Sequence, residues 1–280
     1  MIKIKFHANW CSDYEIREHF NRCTINNDYT WKNLFITLDD DYDFFVIMNH
    51  PQHNNFPPSK TIVFQCEPES TRMCWGNFYK PDSKAFFRVY DTEHNHNVDK
   101  WFIGLNYQQL LNGNFSKNKV MSGIVSGIYN LEGHVDRFNF LKYLDRLPFY
   151  EHFGKGDLGF LKSFKGYLPN KEDGLVSYRY HFNAENVYEK NYFTEKIIDP
   201  ILCECLCFYD GCPNIEEFID SRAYIKINLK KPDESLETIK WSIENNEYEK
   251  RIPFIKKEKE KLMNELNPLN IIYKIIRGEL

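Results

Sequence analysis

Apolar and polar positions alternate from the first residue. Ile2, Ile4 and Phe6 interleave with Lys3 and Lys5, the period-two signature of a strand over residues 1–8. The pattern then changes, and a helix is predicted over 12–23 with Ser12 as its N-cap. Two short apolar runs read as buried strands. Residues 42–48 end at Asn49-His-Pro51, and residues 60–65 end at Cys66-Glu-Pro68. Weaker strand patterns cover 84–90 and 98–103. The turn-forming stretch 112–118 marks a break. Beyond it come a strand at 120–126, helical patterning at 137–144 and a strand at 178–182. In 194–205, Ile197, Ile198, Ile201, Leu202 and Cys205 make the stripe of a core-facing helix. Pro200 removes one backbone donor there, so that helix is expected to kink or start late. A strand at 207–209 closes at Asp210-Gly211, and helices follow at 235–247, 253–266 and from 269.

Strands alternating with helices predict an α/β protein built on parallel sheets. The mid-chain break predicts two such units with a cleft between them. Domains of ~100–200 residues give the same number for 280 residues. Parallel sheets bind ligands beyond the carboxyl ends of their strands. Glu67 follows one such end and Ser126-Gly127 another.

Composition narrows the function classes. The chain is 42% hydrophobic, with 23 Phe and 18 Tyr, enough for a core without disulfides or metals. Its net charge is −4, so no basic surface for nucleic acid is implied. A phosphate ligand must then be met by a few placed cations. No targeting segment is visible, and the apolar run 44–48 is far too short to span a bilayer. A soluble protein of the cytoplasm, with free thiols, is the expectation. Cys203, Cys205, Cys207 and Cys212 lack the paired spacing of zinc hooks and read as small buried residues between a helix and a strand.

Candidate chemistry concentrates in 178–213. Here strand, polar loop, helix, strand and turn succeed one another, and Thr194, Glu195 and Lys196 fall at the helix start. A helix N-terminus offers amides and partial positive charge to a phosphate, and Lys196 adds a full charge. Glu195 can accept hydrogen bonds from ribose hydroxyls.

This stretch resembles the fucosyltransferase family, the family-ten glycosyltransferases. The matching pieces are Glu185-Asn186, Tyr192-Phe-Thr-Glu-Lys196 with Ile197, the turn from Tyr209 to Pro213, and Phe218-Ile219. Upstream, Ser126-Gly127, Gly133-His134 and Arg137 resemble the family's serine-initiated loop and arginine. The likeness spans roughly 118–230 and weakens toward the N-terminus. Ala184, Asp210 and Cys212 depart from the family pattern, while the phosphate cations are intact.

The resemblance implies a GT-B fold, two Rossmann-like domains facing a cleft. It implies an acceptor-side domain over 1–115, a donor-nucleotide domain over 116–265 and a C-terminal helix over 266–280 packing back on the first domain. It implies an inverting, metal-independent transfer of a sugar from a GDP- or UDP-linked donor to a glycan hydroxyl, with no other cofactor. Fucose from GDP-fucose is the first expectation and UDP-xylose the alternative. An inactive carbohydrate-binding protein is the reading from another class. Arg137 and Lys196 would bind the diphosphate and Glu195 the ribose, with Tyr192, Thr194, Ser126 and Asn186 around them. Glu67 would be the general base, with Glu69 its competitor.

Three other patterns carry less. Gly154-Lys-Gly-Asp-Leu-Gly159 matches a dinucleotide fingerprint, but no first βαβ unit surrounds it, and a glycine turn is expected. Asp39-Asp-Asp-Tyr-Asp43 precedes its strand, so a turn is expected there too. His50, His53, His94 and His96 read as loop residues.

Overall fold

The computed structural model describes residues 1–92 and 101–280. His94, His96 and the first half of the strand predicted at 98–103 lie outside the described residues. The chain folds as two compact units. One is Met1–Gly113 with Met263–Leu280, and the other is Asn114–Leu262.

The first unit begins with β1 (Ile2–Ala8) and α1 (Asp13–Asn21). Ser12 caps α1 in a full capping box, its hydroxyl accepting from the Glu15 N–H while the Glu15 carboxylate accepts from the Ser12 N–H. Next come β2 (Thr30–Trp31), β3 (Leu34–Ile36), β4 (Phe44–Met48), β5 (Thr61–Phe64), α2 (Glu69–Cys74), β6 (Arg88–Tyr90) and α3 (Tyr107–Asn112). The sheet order is β2-β3-β1-β4-β5-β6, parallel except for the β2–β3 pair. The central strands are apolar on both faces because helices and loops cover both. Val46, Ile47, Met48, Ile62 and Val63 are all fully buried.

The second unit holds β7 (Lys119–Ile124), α4 (Glu132–Leu144), β8 (Tyr150–Phe153), β9 (Tyr178–Ala184), α5 (Glu195–Leu202), β10 (Leu206–Asp210), β11 (Tyr224–Lys226) and α6 (Pro232–Glu244). The chain then enters α7 (Glu247–Asn264) and ends with α8 (Pro268–Arg277) in the first unit. The sheet order is β11-β10-β9-β7-β8, wholly parallel. Asn267 fastens α8, its carboxamide oxygen accepting from the Leu269 N–H and its nitrogen donating to the Cys23 carbonyl. Among the described residues no helix is long and apolar enough to cross a membrane.

Several boundaries differ from expectation. Helix α4 starts at Glu132, five residues before the predicted 137, because Glu132 to Asp136 are too polar to show an apolar stripe. Helix α7 starts at Glu247 and carries Pro253 inside it, where the sequence suggested a start. The strand predicted at 84–90 shrinks to Arg88–Tyr90, and residues 101–103 are not strand. In α5, Pro200 leaves the Lys196 carbonyl without its helical donor, and the Cys207 thiol lies 3.8 Å from it. All four clustered cysteines are fully buried.

Candidate functional site

In the second unit the chain runs from β7 outward to β8, then crosses back to β9 and proceeds through β10 to β11. The order therefore reverses between β7 and β9. At such a point the loops leave in opposite directions and open a crevice beyond the carboxyl ends. Residues 125–131 follow β7 there, and residues 185–194 follow β9.

Close packing ties these two loops together. The Gly133 N–H, in the first turn of α4, donates to the Asn186 carbonyl at 2.9 Å. A Cβ on Gly133 would fall on the Glu185 carbonyl oxygen and 2.6 Å from that of Asn186, so only glycine admits this approach. One turn later, Arg137 turns its guanidinium onto the end of β9. Nη1 donates to the Ala184 carbonyl at 2.6 Å and Nη2 to the Asn186 side-chain oxygen at 3.0 Å.

Arg137 is 4% exposed, and among the described residues no carboxylate pairs with it directly. Its Nε is buried without a partner. Burial pushes its pKa down while Glu185 and Glu195 pull it up, and a guanidinium stays charged throughout. A buried cation without a direct counter-charge is costly unless an anion joins it.

The start of α5 is organised around Glu185, which is fully buried. Its carboxylate accepts from the Thr194 N–H at 2.9 Å, the Thr194 hydroxyl at 2.8 Å and the Tyr209 hydroxyl at 3.1 Å. Thr194 caps α5, its hydroxyl accepting from the Lys196 N–H. The Lys196 ammonium is 3.2 Å from that hydroxyl, 3.1 Å from Glu195 and 3.5 Å from Glu185. Burial opposes ionisation of Glu195, but Lys196 and Lys171 outweigh it and hold its pKa down at about 2.

Of the residues marked in the sequence, Arg137, Asn186, Tyr192, Thr194, Glu195 and Lys196 come together here. Tyr192 is fully buried near Arg137. Asn186 and Thr194 spend their side chains on protein partners and so orient the two cations. Ser126 is half-buried at the end of β7, and its hydroxyl makes no hydrogen bond to this cluster among the described residues. Beside it, Gly127 packs on the Gly154–Gly156 turn and donates to the Lys155 carbonyl. No helix follows that turn, so the glycine triplet is a loop contact.

Three further neighbours take no role from the sequence, although Glu185 and His134 stand in matching pieces of the resemblance. Glu185 stands in the Glu-Asn dipeptide, where spacing alone assigns it no role. His134, on the first turn of α4, is buried and kept neutral, its pKa lowered to about 4 by burial and then by Arg137. Lys171 arrives from the long β8–β9 connection, where no local pattern singles it out.

Glu67 lies in the first unit, half-buried just after β5. Arg72 holds its turn, Nε donating to the Glu67 carbonyl at 3.1 Å. Asn49, at a left-handed φ of 65°, caps the neighbouring Cys66 N–H. Glu69 is exposed and paired with Lys80 at 2.7 Å. Just before β4, Asp40 and Asp41 pair with Lys5 and Lys3 of β1. His50 and His53 sit in the loop after β4, and His50 meets the Asn77 carboxamide.

No family model and no curated protein matches the chain. Solved structures do. An α1,3-fucosyltransferase with GDP is 16% identical, with a TM-score of 0.55, covering 100% of this chain and 91% of that one. An α1,3-fucosyltransferase with GDP-fucose is 18% identical, with a TM-score of 0.51, covering 90% and 81%. A DNA-modifying β-glucosyltransferase is 12% identical, with a TM-score of 0.54, covering 98% of both chains. At these identities the likeness establishes the fold, which is GT-B with two Rossmann-like units.

Proposed function

We propose that the chain is a glycosyltransferase that takes its sugar from a nucleoside diphosphate donor. The observation that carries this is Arg137, a buried guanidinium without a carboxylate partner at the switch point of a parallel sheet. The Lys196 ammonium and the amino end of α5 stand in the same electrostatic cluster. A diphosphate supplies the direct counter-charge that Arg137 lacks, and arginine meets phosphate oxygens in two-point contact. Glu195 takes the ribose hydroxyls, as a carboxylate held ionised accepts hydrogen bonds. A glycan hydroxyl is the acceptor.

In the transfer, the acceptor oxygen attacks the anomeric carbon with inversion. The bond from that carbon to the diphosphate oxygen breaks, and the leaving nucleoside diphosphate keeps the electron pair. The acceptor proton passes to Glu67, the base the resemblance implies, with Glu69, paired with Lys80, as its rival. Arg137, Lys196 and the α5 amides meet the growing charge on the leaving group without a divalent ion. Fucose from GDP-fucose is the first donor to try and UDP-xylose the second.

The test is calorimetric titration of GDP, UDP and their sugar conjugates in excess EDTA, followed by product analysis with glycan acceptors. Micromolar binding of one nucleoside diphosphate and chelator-resistant transfer are expected. Absence of binding by every nucleotide would overturn the reading. Transfer that needs added manganese would overturn its metal independence.

A further inference from the structure

Asp199 is a carboxylate with no exposed surface, one helical turn after Glu195 on α5. Lys171, 28 residues earlier, reaches it at 2.6 Å. The same ammonium lies 3.8 Å from Glu195, which also holds Lys196 at 3.1 Å. The residues form a row in which charge alternates: Asp199, Lys171, Glu195, Lys196, Glu185.

This row explains how Lys196 can serve an anion while it touches two carboxylates. Arg137, Lys171 and Lys196 stand against Glu185, Glu195 and Asp199. Taken without Lys171, the cluster is net negative, and a diphosphate would be repelled from the site built to receive it. With Lys171 in place, Glu195 and Asp199 share a second cation and the three carboxylates are matched by three positive charges. We propose that Lys171 is a positioning residue of the phosphate site, offsetting Glu195 and Asp199 so that the Lys196 charge is left to the ligand. The proposal rests on the phosphate reading given above.

Opposite signs are expected for two neighbouring substitutions. Lys171→Met should weaken GDP or UDP binding about tenfold, the size of one unit charge ~10 Å from a bound anion at the effective dielectric of a protein surface. Lys171→Arg should stay within about threefold of wild type, because the charge is kept. Asp199→Asn should bind the nucleotide a few times more tightly, since one negative charge has gone. The double variant Lys171→Met with Asp199→Asn should return to within about threefold of wild type, and it leaves no unpaired buried carboxylate to impair folding.

The experiment is calorimetric titration of GDP and UDP into the full chain, with circular dichroism to confirm folding and Arg137→Ala as the control. A merely structural role moves the melting temperature of Lys171→Met and leaves Asp199→Asn no tighter. Unchanged affinity in Lys171→Met, or no gain in Asp199→Asn, overturns the proposal while Arg137→Ala still loses binding. If Lys171→Met does not fold, Asp199→Asn and the double variant decide alone. If wild type binds neither nucleotide, the phosphate reading itself falls.

Discussion

Arg137 and Gly133 show how much of the site rests on single residues. A hydrogen bond to a charged group contributes roughly 1.5–3 kcal/mol, so Arg137→Ala or Lys196→Ala should weaken nucleoside diphosphate binding about 10- to 150-fold. Unchanged titration curves in folded variants would place the nucleotide elsewhere. Gly133→Ala acts at one remove. Its methyl group cannot coexist with the Glu185 and Asn186 carbonyls, so α4 must withdraw and take Arg137 with it. Overpacking of this kind costs roughly 1–3 kcal/mol, and a lower melting temperature with weaker nucleotide binding is expected. For the proposed base, Glu67→Gln keeps the shape but cannot accept a proton. Turnover should fall ~10²–10⁴-fold with nucleotide affinity unchanged, and Glu69→Gln should do little. A wild-type rate in Glu67→Gln would remove it from the mechanism.

Among elements, α5 is where local sequence and site coincide. Its apolar stripe seats it on the core, and Ile197, Ile198, Ile201 and Leu202 are all buried. Its cap does two jobs, since Thr194 both ends the loop and satisfies Glu185. Loss of a capping side chain costs about 1 kcal/mol, and the buried Glu185 would lose a donor as well. Thr194→Ala should therefore lower the melting temperature more than Thr194→Ser, which keeps the hydroxyl. Equal melting of the two variants would show that the hydroxyl contributes nothing. The stripe and the helix start at Thr194 were legible in the sequence. The starts of α4 and α7 were not, because a polar first turn and an internal proline hide the period that marks a helix.

For the whole molecule, acid sensitivity follows from histidines buried neutral. Burial first, with the Arg137 charge at His134, lowers the pKa of His134 and of His152 to about 4, and burial takes His181 well below the usual value. The unfolded chain binds these protons near pH 6.5 and the folded chain does not. Their stability is thus fully present above pH 6.5 and is lost as pH falls toward 4, by roughly 3 kcal/mol each for His134 and His152. Asp210 works in the other sense. Burial and then Asp136 raise its carboxyl to about 6, so it favours the folded state at low pH and ceases to as pH rises through 6. Histidines outnumber it, so urea unfolding should show stability falling from pH 6.5 to 4. A flat profile would mean these rings are protonated in the folded protein.

By itself the sequence determined the α/β class, the break at residues 112–118, the strands that form both sheet centres, and the loop and helix that carry Thr194, Glu195 and Lys196. These are local properties, since apolar period, turn residues and caps act over a few neighbours. Tertiary structure alone decided the rest. Arg137 meets Ala184 and Asn186 across 47 and 49 residues, and Lys171 meets Asp199 across 28. No pattern along the chain encodes those meetings. They exist because parallel strands need long crossovers, which bring distant loops to one end of a sheet. Burial then turns those loop residues into a site, by removing the water that would otherwise solvate their charges.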